Sequence, residues 1–120
     1  MELVFYSLDN DNNKVFFRTD YEKKDNKIIF KDKSIENTII HLTINSNSLI
    51  FERKGNTSMI MTLEEGKETS GHYESSTGLF FDFVTKTKIL SILDNQIKIE
   101  YSLNVLEEET SSHKIWITFN

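Results

Sequence analysis

Two arginines, three histidines and the tyrosines carry most of the chemistry open to this chain, which has no cysteine. Arg53 continues the alternating face of Leu49 and Phe51 in the run LIFERK. If that face lines the inside of a closed sheet, the guanidinium points inward, where an isolated charge is costly and must be paired. Such an arginine anchors a carboxylate or another anion, with the hydroxyls of Tyr73 and Tyr101 as partners. An arginine at a strand end also reaches water readily along its aliphatic stem. The competing reading therefore leaves Arg53 beside the following turn, paired with Glu52 or Glu74. Arg18, between Phe17 and Thr19, has the same two readings.

Other patterns carry less. His41, His72 and His113 fall on separate segments, with His72 and Glu74 the nearest approach to a ligand pair; zinc needs three or four convergent ligands. We therefore expect no metal, and we expect His72 and His113 on exposed loops. Asp9, Asp11 and Asn13 imitate the start of a calcium loop, but Lys14 replaces the glycine at the sixth position and Asp20 the glutamate at the twelfth. Gly66 to Gly71 has the glycine spacing of a phosphate-binding loop, yet His72 and Tyr73 stand where Lys and Ser or Thr are required. Glu64, Glu65 and the run Glu107 to Glu109 fall in turns, where solvation is their ordinary role. The serines form no nucleophile elbow and no Ser, His, acid set by spacing. No catalytic residues and no cofactor follow from the sequence.

Composition narrows the field further. The net charge of −5 over 120 residues argues against a surface built to neutralise phosphates, so nucleic acid is not an expected partner. No run approaches the roughly 20 apolar residues of a membrane span, and MELVFYSL lacks the basic start and long apolar run of a secretory signal. With no cysteine to form disulfides, the expectation is a cytoplasmic protein folded as a single domain over residues 1–120.

The elements that must position these residues read as strands. Glu2 to Leu8 is followed by the turn DNDNN, and Val15 to Glu22 alternates up to the turn KKDNK. Ile28 to Phe30 is a short strand; Lys31 to Glu36 leaves room for a loop or one helical turn. Ile39 to Ile44, Leu49 to Arg53 and Met59 to Leu63 follow, the last two joined as a hairpin. Tyr73 precedes the turn at Gly78, and Leu79 to Val84 runs on to Thr85 and Thr87. Ile97 to Val105 alternates most regularly, which predicts one buried and one wet face. Ile115 to Phe119 closes the chain after a polar loop at Glu107 to His113. Only Lys86 to Leu93 could compete as a helix. Phe80, Phe81 and Phe83 put aromatics on both faces of one strand, so part of its outer side is expected to be covered. Eight to ten antiparallel strands with short links predict a sandwich or barrel, and closure removes the sheet edges.

The order Arg53 and Gly55 after a strand, Met59 and Met61 in the next, Tyr73, then Gly78 before an apolar strand ending in Thr85 and Thr87, resembles the YwiB-like family of bacterial proteins. The similarity covers roughly Val15 to the C-terminus. Two positions depart from the family pattern: Asp20 stands before Tyr21 in place of a glycine, and Lys31 and Asp32 stand where an acidic residue closely follows the aromatics of the third strand. The resemblance implies an antiparallel calycin-like (lipocalin-like) β-barrel in a bacterial cytoplasmic protein, and no defined activity.

Together these readings favour a small binding module that holds an apolar or amphipathic anion in the barrel, with Arg53, Tyr73, Tyr101 and Arg18 as ligand-binding residues. A cavity of about 300 Å³ or more lined by Met59, Met61, Phe81 and Tyr101 would support it. The alternative is a structural or interaction barrel filled by its own side chains, working through its outer face as a homodimer.

Overall fold

The computed structural model describes residues 1–120 and contains ten strands and no helix. These are β1 (Glu2–Asp9), β2 (Lys14–Lys24), β3 (Lys27–Lys31), β4 (Ile39–Ile44), β5 (Leu49–Lys54), β6 (Thr57–Leu63), β7 (Glu68–Ser75), β8 (Phe80–Ile92), β9 (Gln96–Val105) and β10 (Glu108–Phe119). Every strand pairs antiparallel with its neighbours in the chain, and β10 returns to pair with β1, so the sheet closes as an up-and-down barrel. Closure leaves no row of unpaired backbone groups for another chain to extend.

The pleat decides what goes inside. Leu3 and Phe5 on β1, Ile28 and Phe30 on β3, Ile40 and Leu42 on β4, Leu49 and Phe51 on β5, and Ile97 and Ile99 on β9 all face the interior and are buried. Phe5 stacks on its cross-strand partner Phe17 with ring centroids 4.9 Å apart. Gly71 on β7 faces Phe83 on β8, whose ring occupies the place a Cβ at that position would need. The glycine thus lets an aromatic from the next strand cover the backbone.

DNDNN forms the expected turn. Asp9 Oδ1 accepts from the backbone N–H groups of Asp11 and Asn13, each at 2.9 Å, and Oδ2 accepts from the Asn13 amide. Asn13 first, then Asp11, hold this carboxyl below its ordinary range. Its oxygens are engaged by the turn itself, which fits a turn rather than a calcium loop.

Three segments differ from the sequence expectation. The polar stretch around Gly66 and Gly71, expected as a loop before Tyr73, is a loop only at Gly66: β7 begins at Glu68 and carries Gly71 within it. Lys86 to Leu93 is no helix: β8 runs through Ile92, with a bulge at Lys88 between the paired residues Thr87 and Ile89. The extra residue shifts the alternation so that Leu90 and Ile92 pack against the core, and the shifted pattern imitates a helical period. Glu107 to His113 is no loop either. Leu106 and Glu107, both at positive φ, form a two-residue link, and β10 begins at Glu108. Such links usually carry Asn or Gly, so a Leu-Glu pair gives no turn signal.

The two ends of the barrel differ. At the end holding the termini, Leu3, Ile28, Leu49, Leu63, Ile97 and Ile117 are fully buried. At the other end, between the β5–β6, β7–β8 and β9–β10 links, Met59, Tyr73, Leu103 and Val105 face inward but are only partly buried.

Candidate functional site

One inward row crosses four strands at this second end: Arg53 on β5 is paired with Met59 on β6, Met59 with Tyr73 on β7, and Tyr73 with Phe81 on β8. Met59, Tyr73, Phe81, Phe83, Leu103 and Val105 line a cavity of about 340 Å³. This is within the usual range of small-molecule pockets, roughly 300–1,000 Å³. Tyr73 and Phe81 stack with centroids 4.8 Å apart and form one wall. Met59 and Phe81 line the cavity as expected, whereas Met61 is buried in the core and Tyr101 lies outside the wall.

Arg53 faces inward, and its partner is neither Glu52 nor Glu74. Its Nε donates to Asp32 Oδ2 at 3.0 Å. The Asp32 side chain is wholly buried, while 26% of the Arg53 side chain remains accessible. Asp32 Oδ1 accepts from the Ser34 backbone N–H and hydroxyl, so the carboxylate is hydrogen-bonded on both oxygens. The loop that carries Asp32 is tied back by the Asp32 N–H donating to the Thr38 carbonyl. Gly55 makes this fit possible, because a Cβ there would stand 2.6 Å from Thr38 Oγ1. The Arg53 guanidinium also lies 5.2 Å from the Phe51 ring centroid, a cation–π distance. With Nε engaged, the two Nη groups have no acceptor in the protein.

A second inward row runs through Asp9 on β1, His113 on β10 and Tyr101 on β9. His113 and Tyr101 stack with centroids 5.0 Å apart, and the Ser111 hydroxyl lies 2.8 Å from His113 Nε2. Burial lowers the His113 pKa; Asp9 acts against this and Arg53 with it. Burial pushes the Tyr101 hydroxyl up to about 12, opposed by the charge of Arg53. The Arg53 charge thus acts on both members of the stacked pair.

The structure brings Arg53 and Tyr73 into one row and sets Tyr101 in the second. Arg18 is not among them. The pleat of β2 sends Phe17 and Thr19 inward and Arg18 outward, where its exposed guanidinium lies 3.5 Å from Glu2. Nor are His72 and His113 loop residues: His72 is on β7, 2.7 Å from Asp82, and His113 is half-buried on β10. Sequence reading gave no site role to Asp32 or Ser111 and placed His113 on an exposed loop. The acidic residue after the β3 aromatics was the available signal for Asp32; the i, i+2 spacing of Ser111 and His113 was hidden by their assignment to a loop. No three His, Cys, Asp or Glu side chains gather to hold a metal ion.

A larger concavity, about 690 Å³, spans β8, β9, β10 and β1 and the β6–β7 link, with Asp9, Tyr101 and His113 of the second row among its lining residues. Two of its sixteen lining residues are hydrophobic, and three of its four lysines, Lys67, Lys86 and Lys114, are matched by Glu64, Glu68 and Glu100, with Lys88 left over. The smaller interior cavity pairs apolar walls with a nearby charged group that has donors to spare, and it is the better candidate.

A family model described as a domain of unknown function, DUF1934, matches residues 6–117. The chain belongs to the DUF1934 family. Among solved structures, the crystal structure of the ywiB protein from Bacillus subtilis is similar in fold, with a TM-score of 0.64. The match covers 99% of this chain and 90% of that chain at 16% identity. The YwiB-like resemblance and the all-β barrel read from the sequence are thereby borne out in family and fold. No curated relative matches the chain. No helix is long and apolar enough to cross a membrane.

Proposed function

We propose that this DUF1934 barrel is a binding module for a small apolar or amphipathic anion, held in the cavity between β6, β7, β8 and β9 with its charged group on Arg53. The observation that carries the reading is the division of labour within the guanidinium. Nε is fixed by a buried carboxylate, which sets the fork in place, and the Nη donors are left for a ligand oxygen. Arginine presents paired donors in a geometry that matches a carboxylate or phosphate. The apolar part of the ligand packs against Met59, Tyr73 and Phe81. Tyr73 is a wall of the site, and Tyr101 supports it from the second row. The absence of cysteine and the bacterial resemblance favour the bacterial cytoplasm as its place of work.

Titration with a fluorescent fatty acid tests this. Arg53→Met paired with Asp32→Asn, which leaves no buried carboxylate unpaired, should weaken binding at least about tenfold, the loss of one charge-assisted interaction. Unchanged affinity in a folded double variant removes Arg53 as the anchor. A second reading, a barrel working through its outer face as a homodimer, is favoured by Phe80 and Leu79, exposed at 67% and 60% on one rim. A dimer that dissociates on Phe80→Glu, with no fatty-acid binding by either form, would replace the first reading with this one.

A further inference from the structure

Ser111 and His113 are two residues apart on β10 and face the same side of the strand, toward the interior. Their Oγ and Nε2 atoms are 2.8 Å apart, within hydrogen-bonding distance for proton transfer between a nucleophile and a base. The strand arrangement around them is specific. A bulge at Thr110 separates the paired residues Glu109 and Ser111; Thr110 lines the apolar cavity, and so does Leu103, the register partner of Ser111. Ser111 therefore stands beside the cavity wall, and His113 is held flat against Tyr101. Arg53, whose Nη donors are unused, acts electrostatically on the same histidine.

We propose that Ser111 and His113 form a nucleophile–base dyad that hydrolyses small esters of apolar carboxylic acids at the barrel mouth. The inference rests on the anion-binding reading, because the acid released is the kind of ligand Arg53 would hold. Ser111 Oγ bonds to the ester carbonyl carbon as its proton passes to His113 Nε2. Collapse of the tetrahedral adduct breaks the bond to the alcohol oxygen, which takes the proton from Nε2 and leaves. Water then attacks the acyl-serine, giving its proton to Nε2, and the Ser111 oxygen recovers that proton as the acid departs. One ester and one water yield one acid and one alcohol. Burial favours the neutral imidazole, the form that can accept the serine proton. The set is a dyad and not a triad: the Asp9 carboxylate, though paired in register with His113, is bound by Asp11 and Asn13.

The test is a fluorophosphonate probe on the full chain, read by peptide mass spectrometry, beside p-nitrophenyl butyrate hydrolysis and fatty-acid titration. The expected result is a single adduct on Ser111, no adduct or turnover in Ser111→Ala, and turnover lowered about 10²–10⁴-fold in His113→Asn, the usual contribution of a general base. Ser111→Ala removes one atom, and retained fatty-acid binding shows that it folds. No adduct on a wild-type chain that binds the fatty acid overturns the activity and leaves the binding module standing. Turnover that survives in Ser111→Ala also overturns it, and absence of both binding and labelling overturns both readings.

Discussion

The barrel's two ends are built from the same alternation and reach opposite results. At the termini end, the inward positions include Leu3, Ile28, Leu49, Leu63, Ile97 and Ile117, all fully buried, and Tyr21 meets Phe119 edge-on at 5.7 Å to close the base. At the other end, the inward positions include Asp32, Arg53, Tyr73, Ser111 and His113, and the apolar residues among them remain partly accessible. A sheet that can fill its interior with side chains has done so at one end only. The difference teaches that apolar packing and polar inward side chains are separated along the barrel axis, so that substitutions at the two ends should differ in the size of their effect on stability and in whether they touch binding.

The largest expected effect belongs to the filled region. Phe5→Ala removes a ring that is 1% exposed and stacked on Phe17, and should cost about 3–5 kcal/mol, read as a lower urea midpoint. A loss below about 1 kcal/mol would mean that this layer is loosely packed and the contrast between the ends is false.

Tyr101 gives the next effect. Its folded pKa is raised to about 12, above the unfolded value near 10. The unfolded chain therefore loses this proton first as pH rises. The stabilisation is intact below pH 10 and is lost between about pH 10 and 12, amounting to about 3 kcal/mol. Urea unfolding across that range should show the decline in the wild type and a shallower one in Tyr101→Phe. Parallel curves would mean that the hydroxyl reaches water, and that the second row is more open than its burial indicates.

Asp32→Asn comes third. It leaves the Ser34 and Arg53 contacts sterically possible but removes the charge, and Arg53 can turn its accessible guanidinium to solvent. A loss of about 1–3 kcal/mol is expected. A larger loss would show that the pair is a structural clamp first and a ligand anchor second.

Much of the fold was legible because the interior follows a period of two. Ile97 to Val105 alternates almost without fault, and the burial of β9 follows it from Ile97 through Tyr101 before the strand reaches the open end of the barrel. Legibility failed where the chain breaks that period. The bulge at Lys88 made a strand look helical, and the Leu106–Glu107 link hid the start of β10 and with it Ser111 and His113. The candidate site was legible in part: the phase of Leu49 and Phe51 predicts that Arg53 points inward. Its partner was not, because Asp32 lies 21 residues away in a loop whose path no local pattern fixes. The second row needed the closure of β1 on β10 as well as the pairing of β9 with β10, and a linear sequence states neither.

The smallest effect sharpens the comparison most directly, because it sets two arginines of the same chain against each other. Arg18 and Arg53 both follow a phenylalanine-bearing strand segment and both approach a carboxylate. For Arg53 that carboxylate is buried and fixes the guanidinium; for Arg18 it is the exposed Glu2, 3.5 Å away, where water competes for both groups. Exposed ion pairs are worth little, so Arg18→Ala should change stability by less than about 0.5 kcal/mol and leave fatty-acid affinity where it was. A measurable loss of affinity on Arg18→Ala would mean that the outer wall of β2 takes part in binding, and the division into a chemical inside and a merely solvated outside would have to be redrawn around that strand. Unchanged affinity, beside a loss at Arg53, would locate recognition in the direction of the side chain through the sheet, since the two residues share type, charge and the presence of an acidic partner.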